Sequence, residues 1–376
     1  MIQEGRVVMK KVKTAVIGLH RGRALADFII KYSQNIELVA ISDLDRKLAD
    51  DYAKKNNIPA VYDCLDDVLK TDVEAVILAT PIPNHEEHVV KSLNAGKHVL
   101  SEVISATTIE GCQRIADAIK SSGKKYMMEE NYCFYRPLTI VKNMIDSGLL
   151  GDMYYGESDY LMDFEQRQGF PQSVQAWRKY AYFGKKGHPY ITHTLGPLCY
   201  ALGSDIKSVN CLGAGNRDDV IADKTCVLML QTYDGGMIRL RNSFMCARPD
   251  LYTYYSVQGT KGCYQGAIGD MDFHKIHIRG LCGPQEWRNV YDFKGFLPKE
   301  WGIFPEGYFD DSKDDGCTLY DSGTPLLLES FAKSIIEDKE PLISAKRSLN
   351  WTAAGILSTE SVNNGGEPVE IPDFGL

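Results

Sequence analysis

The sequence lacks long apolar runs and runs of like charge, and each absence excludes a class of partner. Nowhere do roughly 18 uncharged apolar residues follow one another, which disfavours a membrane-spanning helix. The opening residues, MIQEGRVVMKKVK, contain no apolar stretch typical of a secretory signal. The 42 basic and 50 acidic residues are dispersed and leave no basic stripe for a phosphate backbone. We therefore expect neither a membrane nor a nucleic acid as a partner.

Paired cysteine motifs are also missing. The ten cysteines stand at irregular separations between Cys64 and Cys317 and form no CxxC motif. A chain of 376 residues with 44% apolar residues can build its own core and needs no disulfide staples. We expect reduced thiols and a cytoplasmic location.

Residues 11–132 alternate short apolar runs with helix-length amphipathic segments. The runs are KTAVIGL, IELVAISD, AVILAT, KHVLSE and KKYMMEE. Strands buried on both faces and separated by helices are typical of parallel βαβ units. The pattern predicts an α/β fold whose N-terminal part is a doubly wound Rossmann domain, preceded by a tail at residues 1–10.

Residues 133–376 have a different pattern. Longer, more polar strand-like segments follow Gly151, including MYYGESDYLM, TCVLMLQTYDGGMIRLRNSF and YTYYSVQGTKGCYQGA, with glycines at the expected turns. Two helical segments, TPLLLESFAKSIIEDK and SLNWTAAGILSTESV, lie near the end. We predict a C-terminal α+β domain with a large, mostly antiparallel sheet that binds substrate and pairs with another copy of the chain.

A nucleotide site is predicted at the first strand-to-helix junction. Gly18 ends the first strand, and the helix that follows can hold a pyrophosphate at its N-terminus. The glycine pattern is shortened, because a full GxGxxG motif would need glycine at His20 and Arg23, and only Gly22 follows. We expect Gly18, His20, Arg21 and Gly22 to contact the cofactor, and Arg21 and Arg23 could neutralise its phosphates. The alternatives are an ordinary tight turn for the junction and solvent exposure for the arginines.

Asp43 ends the second apolar run, 25 residues after Gly18. An acidic side chain there can accept hydrogen bonds from an adenosine ribose and would repel a 2′-phosphate. The pattern favours NAD over NADP. The alternative role for Asp43 is the N-cap of the next helix, and both roles could hold together.

Further polar residues follow later strands, where the carboxyl edge of a parallel sheet binds ligands. After AVIL the candidates for cofactor binding are Thr80, Pro81, Asn84 and His85, and His85 could instead be a cap. Glu102 could contact the nicotinamide ribose or a sugar hydroxyl, or cap a helix. Asn131 and Tyr132 are candidates for cofactor and substrate contacts, with packing as the alternative for Tyr132.

The segment GHPYITHTLGPLCYALG places His193 inside an apolar helical pattern. An imidazole has an ordinary pKa of about 6.5 and can act as a base near neutrality. Tyr190, three residues earlier, is its expected hydrogen-bonding partner. A buried core histidine is the alternative. His188, Trp177 and Arg178 are further candidates for substrate binding, with a His-Pro turn as the alternative for His188 and core packing for Trp177.

No metal site is expected. His274 and His277 stand near Asp272, but an i, i+3 pair in a strand points to opposite faces.

These residues together resemble the Gfo/Idh/MocA oxidoreductases, which use NAD(P) and act on sugars and polyols. The similarity covers nearly the whole chain, from VIGL through ATPIPNHEEHVVKSLNAGKHVLSE and GDMYYGES to EPVEIPDF. Its most specific element is the block from Thr80 to Glu102. The resemblance implies a Rossmann fold, a bound nicotinamide cofactor, a small sugar or glycoside as substrate, and a homo-oligomer.

Two departures from the family pattern narrow the resemblance. Glu102-Val103-Ile104 stands where the family usually has Glu-Lys-Pro, so the lysine beside the reacting hydroxyl is missing. Pro189 stands where an aspartate usually precedes the family histidine, which His193 matches. Loss of the lysine resembles the glycoside-acting branch, which includes NAD-dependent retaining α-N-acetylgalactosaminidases.

We therefore expect NAD-dependent oxidation of a secondary hydroxyl of a sugar or glycoside, with C3 as the expected position. Glu102, Tyr190 and His193 would be catalytic, with His193 as the base. One alternative is a redox-neutral glycosidase that oxidises C3 transiently and eliminates the aglycone. Another is a nucleotide- and sugar-binding subunit without activity.

Overall fold

The structure, a computed structural model, describes residues 10–163, 186–215, 223–269, 271–305, 308–309 and 323–376. The predicted N-terminal tail therefore falls almost wholly outside the described residues. None of the helices in these ranges has the length and apolar composition needed to cross a bilayer.

The first sheet contains six parallel strands. They are β1 Val12–Ile17, β2 Ile36–Ser42, β3 Ala60–Tyr62, β4 Ala75–Leu78, β5 His98–Glu102 and β6 Tyr126–Glu129. Their order is β3-β2-β1-β4-β5-β6, so the order reverses between β1 and β4. Such a switch point opens a crevice at the carboxyl edge, where doubly wound sheets bind nucleotides. The predicted Rossmann fold is confirmed.

Five helices cover this sheet. They are α1 Leu19–Tyr32, α2 Arg46–Asn56, α3 Leu65–Leu69, α4 His85–Asn94 and α5 Ile109–Ser122. The central strands β1 and β4 are almost completely buried, as strands covered by helices on both faces must be. The sequence prediction of five strands missed β3, whose three residues are all partly exposed and carry little periodic signal.

The second sheet has nine strands and is mostly antiparallel. They are β7 Met153–Leu161, β8 Ile206–Ala214, β9 Thr225–Thr232, β10 Met237–Ser243, β11 Leu251–Gly259, β12 Gly262–Gln265, β13 Lys275–Ile278, β14 Arg288–Asn289 and β15 Val369–Glu370. Their order is β14-β13-β12-β11-β7-β10-β9-β8-β15. Only β7 and β10 pair in parallel among these strands. The predicted α+β architecture is confirmed.

Four more helices follow β6 in the described residues. They are α6 Arg136–Asp146, α7 Thr192–Leu202, α8 Thr324–Ile336 and α9 Ala345–Asn363. Of these, α7 and α9 pack on the second sheet, whereas α8 packs on α1 of the first domain. In α9, the Ser348 hydroxyl accepts a hydrogen bond from the Met128 amide of β6. Trp351 of the same helix is completely buried. The C-terminal helix thus fixes the second sheet against the end of the first.

Candidate active site

The glycine turn at the switch point brings backbone close to backbone. Gly18 has a φ of +87°, and a Cβ atom there would lie 2.7 Å from the Ala79 carbonyl oxygen. Only glycine tolerates this conformation and this approach. Gly22 performs a different task, because a Cβ there would lie 2.7 Å from Val16 Cγ1. It lets α1 pack closely on β1, as the last glycine of a dinucleotide fingerprint does.

The first turn of α1 is suited to an anion. It contains no acidic residue, and Gly18 provides no side chain to cap its amides. His20 is exposed in this turn. The helix N-terminus therefore offers the electrostatics that a pyrophosphate requires.

Asp43 lies beside this turn at the end of β2. Its Oδ2 accepts a hydrogen bond from the Leu19 amide at 2.5 Å, and its Oδ1 accepts one from the Asp45 amide at 2.8 Å. The alternative role of Asp43 as the cap of α2 is wrong. Asp45 caps that helix by accepting from the Leu48 amide at 3.0 Å.

Arg21 and Glu102, predicted separately, form an ion pair. Arg21 Nε donates to Glu102 Oε1 at 2.8 Å, linking the glycine turn to the end of β5. The next two residues, Val103 and Ile104, are buried apolar side chains. Val103, which stands where the family usually has lysine, is thus part of the core, and its side chain cannot accept or donate a proton.

The loop after β4 is braced by His85. Its side chain is completely buried, with Nδ1 at 2.7 Å from the Ile104 carbonyl and Nε2 at 2.7 Å from the Thr80 carbonyl. Burial lowers the pKa of the imidazole, and the two carbonyl contacts oppose this shift. His85 therefore holds two loops of the carboxyl edge together and offers no surface to a ligand. Pro81 and Asn84 are exposed at this edge.

His193 lies in the first turn of α7, with both ring nitrogens engaged. Nε2 lies 2.8 Å from the Tyr190 hydroxyl, the partner that the sequence predicted. Nδ1 lies 2.8 Å from Oε1 of Glu130. Only 10% of the His193 side chain is exposed. The contacts form a continuous chain from a carboxylate through an imidazole to a phenol.

Aromatic rings surround the imidazole. The Tyr132 ring centroid lies 4.6 Å from that of His193, and the Tyr160 centroid lies 5.5 Å away. Phe244 contacts Tyr190 at 5.9 Å. Asn131 is buried beside them, in the short 3-10 turn that follows β6. The predicted substrate and cofactor contacts at residues 131 and 132 thus meet the His193 segment at the carboxyl edge of the first sheet.

Glu130 is the residue that sequence reasoning missed. It stands directly after β6, and the side chain of His193 reaches it from α7. One available signal was the pair Glu129-Glu130 at the end of the apolar run KKYMMEE, since two carboxylates beside a buried strand need partners. The spacing to His193 carried no information, because the two residues are 63 positions apart.

The remaining candidates are less central. His188 is buried and packs edge-on against Phe244 with centroids 4.5 Å apart, and burial lowers the pKa of its imidazole to about 4. Trp177 and Arg178 lie outside the described residues.

The two histidines considered for a metal site have other partners. His274 forms a hydrogen bond with the Tyr264 hydroxyl, and His277 forms one with the Glu286 carbonyl. Within the described ranges, no three His, Cys, Asp or Glu residues come together as metal ligands.

Comparison with known protein families covers almost the whole chain. A model of the oxidoreductase family with an NAD-binding Rossmann fold matches residues 12–130. A model of the GFO/IDH/MocA C-terminal domain matches residues 139–265. A model of the glycosyl hydrolase 109 C-terminal domain matches residues 221–376.

Individual relatives agree with these models. A glycosyl hydrolase family 109 protein of Shewanella pealeana is 26% identical, with 90% of this chain and 80% of the relative covered. An α-N-acetylgalactosaminidase of Shewanella oneidensis is also 26% identical, with 91% and 80% covered.

Solved structures share the fold. Levoglucosan dehydrogenase in complex with NADH and L-sorbose superposes with a TM-score of 0.78 at 18% identity, covering 97% of this chain and 100% of that one. Myo-inositol 2-dehydrogenase from Lactobacillus plantarum gives 0.72 at 17% identity, with 96% and 100% covered. With its Rossmann sheet, its large mixed sheet and these family matches, the chain belongs to the Gfo/Idh/MocA family of NAD-binding oxidoreductases.

Proposed function

We propose that this NAD-dependent enzyme oxidises a secondary hydroxyl of a sugar or glycoside, at C3, to a ketone. The observation that carries the proposal is the hydrogen bond between His193 Nε2 and the Tyr190 hydroxyl at the carboxyl edge of the Rossmann sheet. A proton acceptor at this edge stands where doubly wound sheets bind their ligands.

The residues of the switch point suit NAD. We assign the pyrophosphate to the N-terminus of α1, where Gly18 has no side chain, and the adenosine ribose to the neighbourhood of Asp43, whose Oδ2 accepts from the Leu19 amide. A carboxylate at that place disfavours the 2′-phosphate of NADP. Bound NAD supplies the acceptor for the hydride that leaves the substrate carbon. The cofactor contacts assigned to His20, Arg21, Thr80, Pro81, Asn84, Glu102 and Asn131 remain part of this proposal.

Tyr190 and His193 supply the acid-base chemistry in this proposal. His193 Nε2 faces the Tyr190 hydroxyl, so a proton leaving the substrate hydroxyl passes to Tyr190 as the tyrosine proton passes to Nε2. The aromatic side chains around the imidazole, with Tyr132 in contact with it, exclude water from the transfer. Tyr132, His188, Trp177 and Arg178 are the proposed substrate contacts.

A redox-neutral glycosidase is the second candidate. It is favoured by the buried Val103 at the lysine position and by the similarity of residues 221–376 to the glycosyl hydrolase 109 C-terminal domain. A ketone at C3 acidifies the proton on C2, and removal of that proton expels the group attached to C1 and leaves a C1–C2 double bond. Water then adds at C1 as a proton returns to C2. Return of the hydride to C3 restores the hydroxyl and makes the net redox change zero.

One experiment separates the two candidates. The purified protein is incubated with NAD and a panel of free sugars, O-glycosides and C-glycosides, while NADH absorbance and product masses are followed together. NADH with a product two mass units lighter establishes a dehydrogenase. Released aglycone without NADH establishes the glycosidase. Absence of both, with NAD bound to the protein, contradicts the proposed function.

We further propose that residues 11–132 form the cofactor domain and residues 133–376 the substrate and oligomerisation domain. Copies of the chain would associate through the open face of the second sheet. There Leu212, Val227, Met229 and Met237 are between 36% and 64% exposed, although they are large apolar residues. The nine cysteines in the described part of the chain are all free thiols, which supports work in the cytoplasm.

A further inference from the structure

Glu130 is a carboxylate in a place where water cannot reach it. Its side chain is completely buried. Oε1 contacts His193 Nδ1 at 2.8 Å, and Oε2 has no hydrogen-bond partner among the described residues. Burying a carboxylate without full pairing is costly, and such groups persist where they serve a site.

The surroundings are shaped to admit this carboxylate. Gly196, one turn after His193 on α7, faces the Glu130 side chain, and a Cβ there would lie 2.9 Å from Glu130 Cγ. The Tyr255 hydroxyl donates to the His193 carbonyl at 2.6 Å and holds the backbone of the histidine. The positions of Glu130, which follows β6, and of His193, which lies in α7, are thus both fixed by their surroundings.

The proton positions follow from the chemistry of the partners. An ionised carboxylate only accepts hydrogen bonds, so Nδ1 of His193 must carry the proton that faces Glu130. In a neutral imidazole Nε2 is then the acceptor, and the Tyr190 hydroxyl donates to it. The carboxylate therefore selects the tautomer in which Nε2 can take up a proton from Tyr190.

We propose that Glu130 is the positioning residue of a Glu130–His193–Tyr190 proton relay. It holds the receptive tautomer of His193 and stabilises the imidazolium that forms when the substrate proton reaches Tyr190 and the Tyr190 proton moves to Nε2. Glu130 itself stays unprotonated, as the carboxylate of a catalytic triad does. It gives His193 the carboxylate partner that Pro189 cannot supply. This role rests on the proposed function of Tyr190 and His193.

The first test is Glu130→Gln, which keeps the size of the side chain and removes its charge. We expect kcat to fall about 100-fold or more, with KM and bound NAD unchanged. The matched control is Glu86→Gln, which removes a carboxylate paired with Arg114 away from this site and should leave kcat within twofold. A Glu130→Gln variant with kcat within twofold of the wild type overturns the role of Glu130.

The second test does not depend on activity. The 15N resonances of the His193 ring, assigned by their absence from His193→Gln, report which nitrogen carries the proton. Protonated Nδ1 with bare Nε2 in the wild type supports the relay, and the opposite tautomer overturns it. If the wild type turns over no sugar or glycoside, the proposed function fails, while the tautomer still decides whether Glu130 orients His193. If Glu130→Gln does not fold, the tautomer of His193 in the wild type still decides whether Glu130 orients the ring.

Discussion

Among single residues, the Tyr190 hydroxyl is the outermost group of the proposed relay, since both nitrogens of His193 are already occupied. Replacing Tyr190 with Phe keeps the ring and removes only the oxygen. We predict a 10²- to 10⁴-fold fall in kcat, because a positioned proton acceptor contributes about that much. Steady-state kinetics on the substrate found in the panel measure this fall.

The control for that variant is Tyr233→Phe, which removes an exposed hydroxyl in the turn after β9. Bound NAD should be the same in both variants. If Tyr190→Phe turns over as fast as the control, the proton leaves the substrate by another route.

Among single elements, α7 carries His193, the proposed base, and contains Gly196, a residue with low helix propensity. Alanine at Gly196 would favour the isolated helix by up to about 1 kcal/mol. In this fold its Cβ would meet Glu130 Cγ and Trp351 Cε3, both at 2.9 Å. We predict that Gly196→Ala lowers kcat at least about 10-fold by displacing Glu130, although helix propensity improves.

Gly295→Ala is the matched control, because a Cβ at Gly295 has no atom within 4 Å. We compare kcat and the 15N spectrum of the His193 ring between the wild type and the two variants. An unchanged His193 spectrum in an active Gly196→Ala variant would show that α7 accommodates the methyl group without moving Glu130.

For the whole molecule, buried histidines make stability depend on pH. Burial lowers the pKa of His188 from 6.5 to about 4, and it also lowers the pKa values of His85 and His98. Below pH 6.5 the unfolded chain binds protons that the folded chain does not. The stabilisation is therefore complete above pH 6.5 and is lost as the pH falls toward 4.

We predict that the free energy of unfolding falls by at least about 1.4 kcal/mol per pH unit in this window, the slope of one histidine. Urea unfolding at pH 7, 6 and 5 measures it. The variant His188→Phe should show a smaller slope. A free energy of unfolding that stays constant from pH 7 to 5 would mean that these imidazoles take up protons in the folded protein as they do in the unfolded chain.

The assembly is also a property of the whole molecule. Val227 lies directly opposite Leu212 in the open face of the second sheet. A charge there would be buried without a partner in any complex formed through this face. We predict that Val227→Glu reduces the mass in solution to that of one chain, 42.1 kDa, measured by light scattering. Ile30→Glu, which changes an exposed side chain of α1, should not change the mass, and a wild-type monomer would contradict this assembly.

Local sequence determined much of the first sheet and its cofactor edge. Continuous apolar runs such as AVIL are buried as strands because helices cover both faces. Gly18 could be located because its positive φ and close backbone approach admit no side chain. The link between Tyr190 and His193 was also predictable, since three residues separate them and the contact is local. The start of α2 was less predictable, because the sequence analysis considered Asp43 as its cap, whereas Asp45 caps it.

Only the tertiary structure decided which distant residues complete the site. Glu130 follows β6 whereas His193 lies in α7, 63 positions later, and Arg21 meets Glu102 across the switch point. The parallel pairing of β7 with β10 was likewise absent from the pattern of the strands. Periodicity records which face of an element is buried, but it does not record which element covers that face. Contacts between elements depend on how the whole chain packs, so the carboxylate behind His193 became visible only in the folded molecule.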